Sequence, residues 1–115
     1  MELVDITGPV QLKLVYLGMH ATCPITQIQD TYNVRLKLIS KGKKSIELKS
    51  LVGYLKKFHG VEILCENLAY LIMVNLSDLG IFSRVKVTLY QYSSEEVVLT
   101  ATATYEELPS RCQLL

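Results

Sequence analysis

Residues 32–38 read Tyr-Asn-Val-Arg-Leu-Lys-Leu, and this stretch decides the fold class. Apolar and polar side chains alternate along it, which is the two-residue period of a strand with one buried face. The same period runs through residues 10–19 and predicts a preceding strand. The chain has 115 residues, of which 50% are apolar and 20% charged, so we expect one globular domain spanning residues 1–115.

Two helices are predicted after the second strand. A basic turn at residues 41–44 is followed by apolar residues that recur every three or four positions, which predicts a helix over residues 48–58. A second, longer helix is predicted over residues 62–79, with Gly80 as its C-terminal cap. Glu66 should then lie one helical turn beyond Glu62.

Two further strands complete the predicted fold. They cover residues 85–89 and 97–104, are joined by a solvated loop over residues 91–96, and precede an aperiodic tail from Pro109. This order predicts an α+β fold, with a four-stranded antiparallel sheet and both helices packed on one face. The apolar residues assigned to the other face are Val15, Leu17, Val85 and Val98. Since two helices cannot cover both faces, we expect a homo-oligomer that forms through the sheet edges or the open face.

Composition excludes several classes of protein. Twelve Lys and Arg against eleven Asp and Glu give a net charge of +1, which excludes a strongly basic nucleic-acid-binding domain. No apolar run approaches the roughly 20 residues of a membrane span, so we expect no membrane partner. Glu2 and Asp5 occupy the N-terminus where a secretory signal would be basic, and a cytoplasmic location is predicted.

The metal-ligating residues are few and scattered. Cys23, Cys65 and Cys112 are odd in number and widely spaced, which fits neither a disulfide framework nor a zinc knuckle. His20 and His59 are the two histidines, so one chain cannot supply a three-imidazole site. The glycines form no phosphate-binding loop. We therefore expect no metal site.

Cys23 and Asp30 are the first candidates for catalysis. They lie seven residues apart in an irregular segment between two strands, where nucleophiles are often placed. A thiolate attacks electrophilic carbon, and a nearby carboxyl group can move the proton that the addition requires. The alternative interpretation is that Cys23 is a small buried apolar residue and Asp30 a turn residue. Likewise, Glu47 could simply favour a helix start and Glu66 could simply face solvent.

Three motifs in the same order resemble the nitrile reductases that act on 7-cyano-7-deazaguanine (preQ0), known as QueF, and their short QueF-like relatives. Residues 23–30, Cys-Pro-Ile-Thr-Gln-Ile-Gln-Asp, resemble the family stretch Cys-Pro-x-Thr-x-Gln-x-Asp. Residues 47–51, Glu-Leu-Lys-Ser-Leu, resemble Glu-(Ser/Leu)-Lys-(Ser/Ala) followed by an apolar residue. Cys65-Glu66 falls where the family has a His-Glu pair, so that only the glutamate is kept.

The resemblance implies a fold and an assembly. Family members have the tunnelling fold (T-fold), in which subunits join their sheets into a barrel, so a pentamer-based decamer is implied. Active sites of this family lie between neighbouring subunits. Cys23 and Glu66 are therefore expected to meet across an interface.

Departures from the reductase pattern favour the QueF-like branch. Val52 stands where reductases carry a lysine of the NADPH-associated signature, and His59 where they carry an arginine. Residues 91–95 replace an Arg-Gly-Gly loop, and Cys65 replaces the histidine of the catalytic pair. Because phosphates are bound by cations and backbone amides, these losses argue against a nicotinamide site. No cofactor is expected.

The QueF-like branch implies an amidinotransferase that converts preQ0 in tRNA into archaeosine with ammonia. In that role, Cys23 would form a covalent thioimide with the nitrile and Asp30 would supply the proton. Substrate binding is expected from Glu47, Leu48, Ser50 and Glu66. The basic residues between the second strand and the end of the first helix are either a tRNA contact or a solvated basic surface: Lys41, Lys43, Lys44, Lys49, Lys56 and Lys57.

Two alternatives belong to other functional classes. One is an NADPH-dependent preQ0 reductase, which would oxidise NADPH in the presence of the free base. The other is a non-catalytic T-fold binding module, in which Cys23 forms no covalent bond. The ammonia source and any roles of Cys65, Cys112, His20 and His59 stay unassigned by the sequence.

Overall fold

The computed structural model describes residues 1–92 and 97–108, and within them the strands form two antiparallel sheets. The elements in chain order are β1 (Leu3–Asp5), β2 (Gln11–Thr22), β3 (Gln29–Ser40), β4 (Lys44–Ile46), α1 (Leu48–Lys56), α2 (Cys65–Ser77), β5 (Phe82–Gln91) and β6 (Leu99–Glu106). The main sheet has the order β2-β3-β5-β6, and β1 pairs with β4. The predicted α+β class and order are confirmed, whereas the three-residue strands β1 and β4 were too short to show a period.

The second helix begins three residues later than predicted. Residues 61–63 are extended because the Thr22 N–H donates to the Val61 carbonyl at 2.9 Å and the Ile63 N–H donates to the Thr22 carbonyl at 3.0 Å. Glu62 therefore precedes α2, and its predicted place one helical turn before Glu66 is wrong. These two hydrogen bonds fix the start of α2 beside the end of β2.

The core lies between the main sheet and the two helices. The helix α2 contacts β5 and β6, and α1 contacts β2, so both helices pack on one face as predicted. Strands and helices share the buried positions Leu36, Leu38, Val87, Leu89, Leu51, Leu55, Leu68, Ile72 and Leu76. Val85 belongs to this core at 0% exposure, so its assignment to the open face is wrong. The alternation of apolar and polar residues does not show which of the two sets of alternate β5 side chains faces the helices.

The open face of the sheet is partly apolar, as expected. Val15 and Leu17 are exposed on it, whereas Val98 is exposed just before β6. Gly18, with a φ of 79°, shifts the register between Leu17 and Met19, and this shift turns Met19 into the core.

Part of the predicted hairpin loop over residues 91–96, and the tail with Cys112, lie outside the described residues. Gly80 adopts a φ of 73° in the turn after α2, although the C-cap of that helix is Asp78. No helix among the described residues has both the length and the apolar character needed to cross a membrane. The oligomeric barrel stays a prediction.

Candidate active site

Cys23 lies at the base of a short closed loop between β2 and β3. The Cys23 N–H donates to the Ile28 carbonyl at 2.9 Å, and the Gln27 N–H donates to the Cys23 carbonyl at 2.9 Å. Gln27 closes the loop in the left-handed region at a φ of 60°. Two strands of the main sheet thus hold the half-buried thiol at a fixed position.

The surroundings of the Cys23 thiol favour its thiolate form. Its pKa is lowered, first by a hydrogen bond from the Thr26 side chain and then by the backbone N–H groups of Thr26 and Ile25. Donors stabilise the negative sulfur, whereas burial and the nearby charge of Asp30 oppose it. A thiol with a lowered pKa and partial access to solvent has the properties of a nucleophile.

Asp30 enters the core at the start of β3. It is 6% exposed, pairs with Ala21 across the β2-β3 ladder, and accepts a hydrogen bond from the Tyr32 hydroxyl at 3.4 Å. Burial, followed by the charge of Asp30, raises the pKa of Tyr32, so the phenol remains a donor. Tyr32 was missed at the sequence level, although its two-residue spacing from Asp30 places both on one strand face.

Cys65 and Glu66 open α2 next to this group. Cys65 is 4% exposed, and burial, followed by the charges of Glu66 and Asp30, raises the pKa of its thiol to about 11. Cys65 therefore stays protonated at neutral pH and differs from Cys23. Glu66 is exposed in the first turn of the helix, where a carboxylate is favoured by the helix dipole.

Glu47 and Ser50 form a separate group at the start of α1. The Glu47 carboxylate caps the helix by accepting from the Lys49 N–H at 2.9 Å and from the Ser50 N–H at 2.6 Å. These two hydrogen bonds lower the pKa of Glu47. The Ser50 hydroxyl accepts from the Glu2 N–H and donates to the Glu47 carbonyl, and Leu48 is 57% exposed beside them. These contacts agree with the alternative interpretation, in which the Glu47 carboxylate stabilises the start of the helix.

The predicted site residues thus fall into two groups within one chain. Cys23 and Asp30 interact electrostatically near the unassigned Cys65, where the end of β2, the start of β3 and the start of α2 meet, and the exposed Glu66 follows Cys65 in α2. Among residues 1–92 and 97–108, no hydrogen bond joins the side chains of Glu47 or Ser50 to Cys23 or Asp30. The expected meeting of Cys23 and Glu66 across an interface stays a prediction.

The two histidines are joined through one amide. The Gln29 Nε2 atom lies 3.3 Å from His20 Nδ1, and the Gln29 Oε1 atom lies 3.2 Å from His59 Nε2. The rings border a cavity of about 300 Å³, together with Lys56 of α1. Because Gln29 directly precedes Asp30, these contacts help to fix the start of β3. Over the part of the chain that the structure describes, no three His, Cys, Asp or Glu side chains are arranged so that they could hold a metal ion.

The first motif departs from the family pattern at one position. Cys23, Pro24, Thr26 and Asp30 agree with it, but Ile28 stands where the pattern has glutamine, and its side chain is 63% exposed. The residues that shape the thiol environment, Cys23 and Thr26, are both kept.

No protein-family model matches the chain, and no curated protein matches it. Among solved structures, the chain is similar to the archaeosine synthase QueF-Like in its apo form, with a TM-score of 0.70 and 24% identity. The similarity covers 90% of this chain and 98% of that one. It shows a shared fold over nearly the whole of both chains, and the α+β arrangement is compatible with a T-fold.

Proposed function

We propose that this chain is an amidinotransferase that adds ammonia to the nitrile of preQ0 in tRNA and forms archaeosine. The observation that carries the proposal is the thiol of Cys23, whose pKa is lowered by donors from Thr26 and Ile25, near the buried carboxyl of Asp30. The fold shared with an archaeosine synthase and the Cys-Pro-x-Thr motif support it.

The reaction proceeds in two additions to one carbon. The Cys23 sulfur forms a bond to the nitrile carbon, and the nitrogen gains a proton from Asp30, which gives a thioimide. Ammonia then adds to the same carbon, the carbon–sulfur bond breaks, and one proton of the ammonia passes to Asp30, so that the thiolate and the protonated carboxyl are both regenerated. The product is the nitrile plus one ammonia, so no atom is oxidised or reduced and no nicotinamide is needed.

Carboxylates and apolar surface would hold the base. The exposed carboxylate of Glu66 can accept two hydrogen bonds from the N–H groups of the pyrimidine edge. Glu47, Leu48 and Ser50 would add further contacts, and each Glu47 oxygen retains an acceptor position beside its capping bond. Since no hydrogen bond among the described residues joins this second group to Cys23 or Asp30, we propose that it comes from a neighbouring copy.

A homo-oligomer of the T-fold type is supported by exposed apolar residues in the Cys23 loop and at the start of α1. Ile25 is 80% exposed, Ile28 63% and Leu48 57%, and a monomer would leave these side chains in water. The proposed assembly is the pentamer-based decamer, in which a second copy covers them. The isolated monomer is therefore expected to be inactive.

The test of the proposal is formation of the covalent adduct. Free preQ0 base is incubated with the protein without ammonia, and the intact mass is measured for wild type, Cys23→Ala and the control Cys65→Ala. Wild type and the control should gain the full mass of the base, since addition expels nothing, and Cys23→Ala should gain none. An adduct that survives in Cys23→Ala contradicts the nucleophile assignment, and oxidation of added NADPH would indicate a reductase.

A further inference from the structure

Three lysines lie side by side on the open face of the main sheet. Lys13 of β2 is directly opposite Lys37 of β3, which is directly opposite Lys86 of β5. We call these residues the lysine row. Adjacent strands are about 4.8 Å apart, so the row spans roughly 10 Å. Like charges directly opposite one another destabilise a sheet, and the row is therefore a costly arrangement unless an anion neutralises it.

The same face adds two more cations and little negative charge. Arg35 lies two residues before Lys37, and Arg84 lies two residues before Lys86. Of the residues of these four strands that point to the open face, Glu106 alone is acidic, and it pairs in register with Arg84. Among the described residues the row forms no ion pair. Its positive charge is therefore available to a ligand.

The lysines of the basic turn at residues 41–44 differ from the lysine row, because two of them form ion pairs. Lys41 Nζ lies 3.2 Å from Glu107 Oε2, and Lys44 forms an ion pair with Asp5. Two of the three lysines in the turn thus have carboxylate partners within the chain. The row, whose members are 24 and 49 residues apart in sequence, becomes visible only through the strand register.

Aromatic side chains border the row at one end. The Arg35 guanidinium lies 5.3 Å from the centre of the Tyr90 ring, and Asn33 Nδ2 donates to the Tyr92 hydroxyl at 3.1 Å. These four side chains, with Val15 and Val34, line a depression of about 120 Å³. A cationic track beside aromatic rings, here the exposed Tyr92 and the half-buried Tyr90, is the arrangement by which proteins hold single-stranded nucleic acid.

We propose that the lysine row and the adjoining tyrosine depression bind the phosphodiester backbone and bases of a single-stranded segment of RNA. This inference rests on the proposed function for its choice of RNA, and it adds a surface on the sheet face that carries no helix. A second copy is a poorer occupant. The carboxylates on its strands are Asp5, Asp30 and Glu106, of which Asp5 is paired and Asp30 is buried.

The test compares two triple variants with equal loss of charge. Lys13→Gln/Lys37→Gln/Lys86→Gln removes the row, and Lys41→Gln/Lys43→Gln/Lys44→Gln removes the turn. Binding of a tRNA transcript and of a single-stranded oligouridine is measured by fluorescence anisotropy over a range of KCl concentrations. Removing three single-strand phosphate contacts should reduce the slope of log K against log salt by about 2 in the row variant. Circular dichroism confirms that each variant is folded.

Failure of this inference and failure of the proposed function give different results. A row variant that keeps the wild-type slope, while the wild type converts preQ0 in tRNA, overturns the RNA surface alone. A wild type that neither binds nor modifies tRNA overturns the proposed function and this inference together. A row variant that changes only the sedimenting mass of the protein identifies the face as a contact between copies, and also overturns the inference.

Discussion

The hydroxyl of Tyr32 donates a hydrogen bond to Oδ2 of Asp30 at 3.4 Å, and both side chains lie in the core at 0% and 6% exposure. The two residues share the core-facing side of β3. Asp30 is thus a buried carboxyl with a neutral donor on one side and the protonated Cys65 thiol near it. This arrangement fixes the carboxyl beside the Cys23 loop, where the proposed proton transfer takes place.

Replacing Tyr32 with Phe should impair both stability and chemistry. The ring still fills the core, but Asp30 loses the donor, which costs about 1–3 kcal/mol for a buried group. Urea unfolding and the rate of preQ0 adduct formation measure the two effects. Tyr54→Phe is the control, since its hydroxyl bonds Asn75 away from the Asp30 group. An equal adduct rate in wild type and Tyr32→Phe would show that Tyr32 does not position Asp30.

Replacing Thr26 with Val should make the Cys23 thiol less reactive. The Thr26 side chain is the largest cause of the lowered pKa of Cys23, so its loss raises that pKa. The rate of alkylation by iodoacetamide should fall near neutral pH, and its pH profile should move upward. The experiment uses a Cys112→Ala background and Thr104→Val as the exposed control. An unchanged profile contradicts the role of Thr26.

The buried Cys65 should make the fold less stable in alkali. The pKa of Cys65 is about 11 in the folded protein and 9.0 for an ordinary cysteine. The stability that the protonated thiol contributes is therefore fully present below pH 9.0 and is lost as the pH rises towards 11. Stability should therefore fall between about pH 8 and about pH 10.5, by on the order of 2 kcal/mol from this group. Urea unfolding of Cys65→Ala should show a weaker dependence of stability on pH. The part that remains comes from Tyr32 and Tyr54, whose pKa values are also raised. Equal dependence in both proteins contradicts the assignment.

Replacing Glu47 with Ala should destabilise the protein through the start of α1. The carboxylate caps two backbone N–H groups, and these donors lose their acceptors when it is removed. Because the pKa of Glu47 is lowered, wild type should lose this contribution as pH falls through that pKa, whereas Glu47→Ala should not. Thermal unfolding checks both points, with the exposed Glu62→Ala as the control. Equal melting temperatures of the Glu47 and Glu62 variants would argue against the cap.

Replacing Lys37 with Gln should stabilise the ligand-free protein. Lys37 has a lysine directly opposite it on both sides, and removing it relieves repulsion of about 0.2–1 kcal/mol per pair. The gain should shrink as salt is added, because salt screens exposed charges. Thermal unfolding at low and high KCl, beside the exposed Lys57→Gln, measures it. A loss of stability that is independent of salt would contradict the repulsion.

The alternating and helical periods predicted the main architecture because burial on one face imposes them directly. They failed where local contacts decide the conformation. The extended segment 61–63 resembles the first turn of a helix in sequence, yet hydrogen bonds to Thr22 hold it in place. Val85 was assigned to the wrong face because the alternation of residues separates the two faces of a strand but does not show which face is buried.

The candidate site was predictable only in part. Cys23 and Asp30 are proposed from a short motif, and the structure adds the donors from Thr26 and Tyr32. The lysine row could not be found from sequence, since it depends on register between strands that are distant in the chain.

The most direct measurement of the central claim is mass analysis of nucleosides from tRNA that bears preQ0, after incubation with the protein and an ammonium salt but without NADPH. The account predicts that the modified nucleoside gains the mass of one ammonia with wild type and remains unchanged with Cys23→Ala. An unchanged nucleoside with the folded, assembled wild-type protein, or an equal gain with Cys23→Ala, would contradict it.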